Sequence, residues 1–80
     1  MGRDRPSDKE FRVDRVVEAA RQRLRQQPHL SFQRIWCEFD GSRLFLRGQV
    51  PSFYHKQLAQ AAVAGMDEVT QVINDIEVVW

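Results

Sequence analysis

The chain has 80 residues, of which 42% are hydrophobic and 29% charged, and its formal net charge is +1. One domain is all that this length supports. Only about 60% of the unfolded surface is buried at such a size, which leaves little room for a walled catalytic cleft beside the core. The small net charge excludes a global field that would steer the chain to nucleic acid, and a lone cysteine, Cys37, excludes an internal disulfide.

Charge is unevenly placed. Residues 1–47 carry 11 Lys and Arg against 7 Asp and Glu, a net +4, whereas residues 48–80 carry Lys56 against Asp67, Glu68, Asp75 and Glu77, a net −3. Either the halves neutralise each other within the fold or one offers a patch to a partner of opposite sign.

Residues 1–10 are polar and lack both helical periodicity and an apolar signal-peptide core. They are expected to form a disordered arm ahead of a single domain over 11–80. No later stretch is long enough to span a bilayer. As it stands the chain reads as cytoplasmic, and as envelope-associated if a leader had been trimmed from it.

Phe11 to Gln27 has helical spacing, with Val13, Val17, Ala20 and Leu24 on one stripe and Val16 at its edge. Asp8 is the expected N-cap, Glu18 and Arg21 form a weak surface pair, and Pro28 ends the helix. Arg34 to Asp40 and Arg43 to Val50 both alternate, so they read as strands. A turn at Asp40-Gly41 would set Arg34 against Arg47. A turn at Gly41-Ser42, with Gly41 supplying positive φ, sets Asp40 against Arg43 and Trp36 against Arg47. The second register is preferred for its ionic pair and its cation–π pair.

Pro51-Ser52 reads as a strand end followed by an N-cap. The second helix is expected from Phe53 to Met66, with Tyr54, Leu58, Ala61, Ala62, Gly65 and Met66 on its packed face. Val72 to Trp80 alternates as a third strand. A right-handed crossover would make it parallel to the second. The fold class is therefore α+β, in the order α-β-β-α-β, with two helices packed on one face of a three-stranded mixed sheet.

Four segments then carry a family resemblance. "LFLRGQV" resembles the V-x-L-x-G-x-V core strand of the BON family (bacterial osmotically-inducible and nodulation). "PSFYHKQLAQAA" resembles its second helix, with Ala59 and Ala62 at small-residue positions. "VTQVINDIEV" resembles its closing segment on Val69, Val72, Asn74, Ile76 and Val78, and "VDRVVEAARQRL" fits the preceding helix. Two positions depart from the pattern. Glu68 stands where the family usually has Gly, and Ser42 where it tends to place the hairpin Gly. The resemblance implies a non-enzymatic module that binds anionic phospholipid surfaces or envelope and stress-related proteins. A soluble protein–protein adaptor or homo-oligomerising domain is the alternative. A KH-like RNA binder is disfavoured, because no GxxG clamp is present.

Candidate residues are few. Arg12, Arg15 and Arg23 gather on one flank of the first helix and are the candidate contact for anionic lipid. Trp36, Phe45, Arg47, Ile73 and Val79 lie on the sheet face that two helices cannot cover, a candidate face for another protein or a second copy. No catalytic residue, cofactor or metal is expected. His29 and His55 stand 26 apart without a companion ligand, Cys37 points inward, and Asn74 is expected to bond backbone on the covered side. Gly48 is expected to let a helix approach the sheet.

Overall fold

A computed structural model describes residues 8–30 and 34–79, with side chains from Phe11 onward. The elements are α1 (Asp8–Arg25), β1 (Arg34–Asp40), β2 (Arg43–Val50), α2 (Phe53–Ala62), β3 (Gln71–Asn74) and β4 (Glu77–Val78). The order matches the α+β expectation. One helix packs on β1 and the other on β2, β3 and β4, and the two touch each other.

α1 begins three residues ahead of the expected Phe11. Residues 1–7 lie outside the described residues, as does the Asp8 side chain expected to cap the helix. Its buried stripe is Val16, Ala20 and Leu24, with Val13 and Val17 only half-buried beside it. The buried arc is thus shifted toward Val16, and Ala20 is its centre. After Arg25 the chain turns through Pro28, and Leu30 drops back into the core.

The hairpin adopts the preferred register. Asp40 pairs with Arg43, Trp36 with Arg47 and Cys37 with Leu46. Gly41 takes φ +67°, a conformation that costs an L side chain about 1–2 kcal/mol. Ser42, at the departure from the family pattern, binds the hairpin to the start of β3. Its hydroxyl accepts from Thr70 Oγ1 at 2.8 Å, and its carbonyl accepts from Thr70 N–H at 2.8 Å.

Ser52 caps α2 as expected, its hydroxyl accepting from the His55 N–H at 3.2 Å. The helix stops at Ala62, short of the expected Met66. A turn follows in which Gly65 takes φ +79°, and Val63 and Met66 leave the helix to enter the core. Within α2 the packed face is Ala59, flanked by Leu58 and Ala62, while Tyr54 and Ala61 are exposed. Here too the expected face is rotated. Glu68, where the family has Gly, is freed by this turn to pair with Arg15 at 3.2 Å.

The expected third strand is split at Asp75-Ile76 into β3 and β4, so the sheet has four strands, and both pieces run parallel to β2. Leu46 pairs with Asn74 and Gln49 with Glu77, so the register is kept across the break. Asn74 bridges it. Its Oδ1 accepts from the Ile76 N–H at 3.2 Å, and its Nδ2 donates to the Lys56 carbonyl of α2 at 3.0 Å. This is the backbone-binding role expected of Asn74.

Gly48 corrects one expectation. It sits in the middle strand with φ +135°, and a Cβ there would collide with the Arg34 carbonyl oxygen and come within 2.9 Å of Ile35 Cα. The glycine is needed for the approach of β1, not of a helix. The core of Val16, Ala20, Leu24, Leu30, Cys37, Phe39, Leu44, Leu46, Val50, Ala59, Val63, Met66 and Ile76 closes under the two helices. Burial pushes the Cys37 thiol above its ordinary pKa, opposed by a smaller pull from Arg21.

Gly48→Ala therefore combines a backbone penalty with a collision that no rotamer relieves, and should cost roughly 3–5 kcal/mol. Gly41→Ala meets nothing within 4 Å and should cost only about 1–2 kcal/mol. Urea melts of the two variants check the ranking; equal losses would show that β1 yields easily at Gly48. Leu46→Ala and Ile76→Ala, both buried, should each cost about 2–5 kcal/mol by the same measurement.

Candidate functional site

The helices leave one sheet face bare, and strand register arranges its side chains in cross-strand rows. Asp40, Arg43 and Gln71 form one row, and Glu38, Phe45 and Ile73 the next. Trp36 and Arg47 follow, with Asp75 beside Arg47. Arg34, Gln49 and Glu77 complete the face.

Arg47 organises this surface. Its guanidinium lies 5.3 Å from the Phe45 ring centroid, and Arg43 approaches the same ring at 5.5 Å. Arg47 Nε donates to Glu38 at 3.2 Å and its Nη1 to Asp75 at 3.3 Å. The cation–π pair expected between Trp36 and Arg47 does not form, because Arg47 turns to the neighbouring ring, where two carboxylates also meet it. The ionic pair expected between Asp40 and Arg43 is present at 3.9 Å.

The expected partner-binding residues are therefore not equivalent. Phe45 and Ile73 are half-buried, Phe45 between two guanidinium groups. Trp36 is 51% exposed and Val79 44% exposed. Between Trp36 and the β4 side lies an open cleft of about 860 Å³ lined by Arg34, Ile35, Trp36, Gly48, Gln49, Asp75 and Glu77. Asp75 and Glu77 were legible only as solvent-facing acids. Nothing local in the sequence marks them as one wall of a cleft.

Arg12, Arg15 and Arg23 remain exposed, but each reaches another part of the fold. Arg12 donates to the Gly41 carbonyl at 3.3 Å and lies 6.0 Å from the Phe39 ring centroid. Arg15 pairs with Glu68. Arg23 donates to the Ala64 carbonyl at 2.9 Å and to that of Ala62 at 3.4 Å, answering orphan carbonyls where α2 ends. The flank ties α1 to the hairpin and to the end of α2.

Sequence spacing also kept His29 and His55 apart. Chain reversal brings their rings to 6.3 Å, edge-on, with Tyr54 between the same elements. Among the described residues no group of three or more His, Cys, Asp or Glu is placed to hold a metal ion, and no helix is long and apolar enough to cross a membrane.

Two helices on one face of a mixed sheet, with a polar and aromatic face left bare, define a small α-β-β-α-β domain. The BON domain model matches residues 12–79, and the chain belongs to that family. The family consists of interaction domains, with phospholipid among the ligands attributed to it, and it is generally non-enzymatic. Comparison with curated proteins returns no match.

If the arginine flank stitches the fold, Arg23→Gln should lower stability by about 0.5–1.5 kcal/mol, and Arg15→Gln by less than about 1 kcal/mol, since its pair with Glu68 is exposed. Denaturant melts at low salt measure both. An Arg23 variant as stable as the parent would mean that the flank is free for an outside ligand.

Proposed function

We propose that this BON domain is a non-enzymatic docking module that works through the open face of its sheet, binding another protein or a second copy of itself. The half-exposed Trp36 carries the reading. It stands on a rigid strand beside an ion-paired platform instead of in a flexible loop, and an aromatic anchor with a polar rim is what protein interfaces use. Envelope and stress-related proteins are the partner class that the family likeness adds.

Binding to an anionic membrane surface is the second reading, and Arg12, Arg15 and Arg23 would serve it. It is supported by their exposure on one flank, since a guanidinium with five donors can hold a carbonyl or carboxylate and still meet a phosphate. Because these arginines also hold the fold together, the variant with all three changed to Gln should lose stability as well as lipid affinity. Co-sedimentation with anionic and neutral vesicles must therefore be read on folded protein at low temperature. Absence of wild-type binding to anionic vesicles at low salt would remove the membrane reading for this domain.

Light scattering over a wide concentration range tests the docking face. Wild type should show weak, concentration-dependent association, and Trp36→Ser with Phe45→Thr should abolish it while keeping the fold. A strictly monomeric wild type would remove the second copy as occupant and leave a foreign protein for this face.

A further inference from the structure

Resting on the docking reading, we infer that the cleft beside Trp36 receives a basic side chain, Arg or Lys, from an extended segment of the partner. The fold already holds one guanidinium in this manner. Arg47 lies over Phe45 with Glu38 on one side and Asp75 on the other. One row further along, a ring and a carboxylate recur without a cation. Trp36 supplies the ring, and no guanidinium or ammonium among the described residues lies over it. Glu77 supplies the carboxylate, with Asp75, already paired with Arg47, beside it. Glu77 makes no ion pair among the described residues, and its hydrogen bond is to the neutral amide of Gln49 at 3.3 Å.

Gly48 lies in the floor. The position a Cβ would take there is filled by the β1 backbone at Arg34 and Ile35, so the two strands meet closely beneath the cleft. A long aliphatic stem can lie along that floor while its charged head reaches the ring and the carboxylates. An aromatic ring face and a carboxylate without a counter-ion both favour a cation, and neither favours an anion. Arg34, at the other end of the same row, is the competing charge. It stands two strands from Glu77, roughly 10 Å away, with Gln49 between them. It pairs with no acid among the described residues, so it repels an incoming cation without filling the slot.

The test is a titration of the full chain, labelled with nitrogen-15, with a blocked hexapeptide alternating Arg and Gly, beside matched Lys and Glu peptides, at low salt. The Arg peptide should shift the Trp36 indole N–H and the amides of residues 75–79 and should saturate; the Glu peptide should not. Trp36→Ser and Glu77→Gln should each weaken binding about two- to fivefold, whereas Asp67→Asn, an acid away from the cleft, should leave it unchanged. Arg34→Gln should tighten it by a similar factor, an outcome that general attraction to acidic surface does not predict for one site alone. The inference is overturned if the Arg peptide fails to saturate, if its shifts fall outside the cleft, if the Glu peptide binds equally, or if Trp36→Ser or Arg34→Gln has no effect. Should the Trp36 and Phe45 variant still lose association while the Arg peptide does not bind, the docking face stands and the basic ligand falls.

Discussion

The absent side chain at Gly48 is the constraint around which the sheet is arranged. β2 is the strand that pairs with all the others, and Gly48 sits within it at φ +135° where the backbone of β1 comes too close for any Cβ. Register places Ile35 opposite Gly48 on one side, and Ile76, inside the break between β3 and β4, on the other. A residue so far from strand geometry cannot offer a regular ladder to both neighbours. The parallel ladder is the one interrupted, between Asn74 and Glu77. One position in the middle strand thus sets the approach of β1 and the backbone floor beside Trp36, and it lies opposite the split of the last strand.

The same arrangement explains which surface remains for partners. α1 packs on β1, the outer strand on that side. At the opposite edge the break and the Asn74 side chain interrupt the row of backbone groups that another strand would need, a recognised way of blunting an exposed edge. Asn74 also donates to the Lys56 carbonyl and to Gln60 Oε1 at 3.2 Å, so the blunted edge is fastened to α2. The sheet face is the surface left open, and its side chains are fixed by mutual ionic and ring contacts, so the docking proposed above would cost little rotamer entropy.

Legibility followed the range of the interactions involved. Both hairpin strands were readable to the residue because alternation and the Asp40–Arg43 pair are local, and Gly41 marks the turn. On α1 the expected stripe holds at Ala20 and Leu24 but underrates Val16, and on α2 the packed face was read one position out of phase. Alanine and valine at several neighbouring positions satisfy more than one helical stripe, and only packing into the common core selects Val16 and Ala59. The end of α2 depended on the turn around Gly65, and the break at Asp75-Ile76 lies opposite a glycine in another strand. Neither the carbonyl partners of Arg23 nor the redirection of Arg47 to Phe45 could be read, because each joins residues whose separation only the fold removes.

The opposite charges of the two halves take on a different meaning in this light. Arg15 with Glu68 and Arg47 with Asp75 cross from the basic half to the acidic half, so part of the imbalance is used inside the molecule as stitching. Such exposed pairs contribute little energy each, but they set where side chains point, and that decides what the surface can recognise. On the described open face, Glu38, Asp40, Arg43, Arg47 and Asp75 are all ion-paired. Arg34 and Glu77 are the two charges left, at opposite ends of one row and too far apart to neutralise each other. Under the proposed docking, a partner that met this row would be read by sign at each end, which would fix the direction in which a charged segment could lie across the sheet.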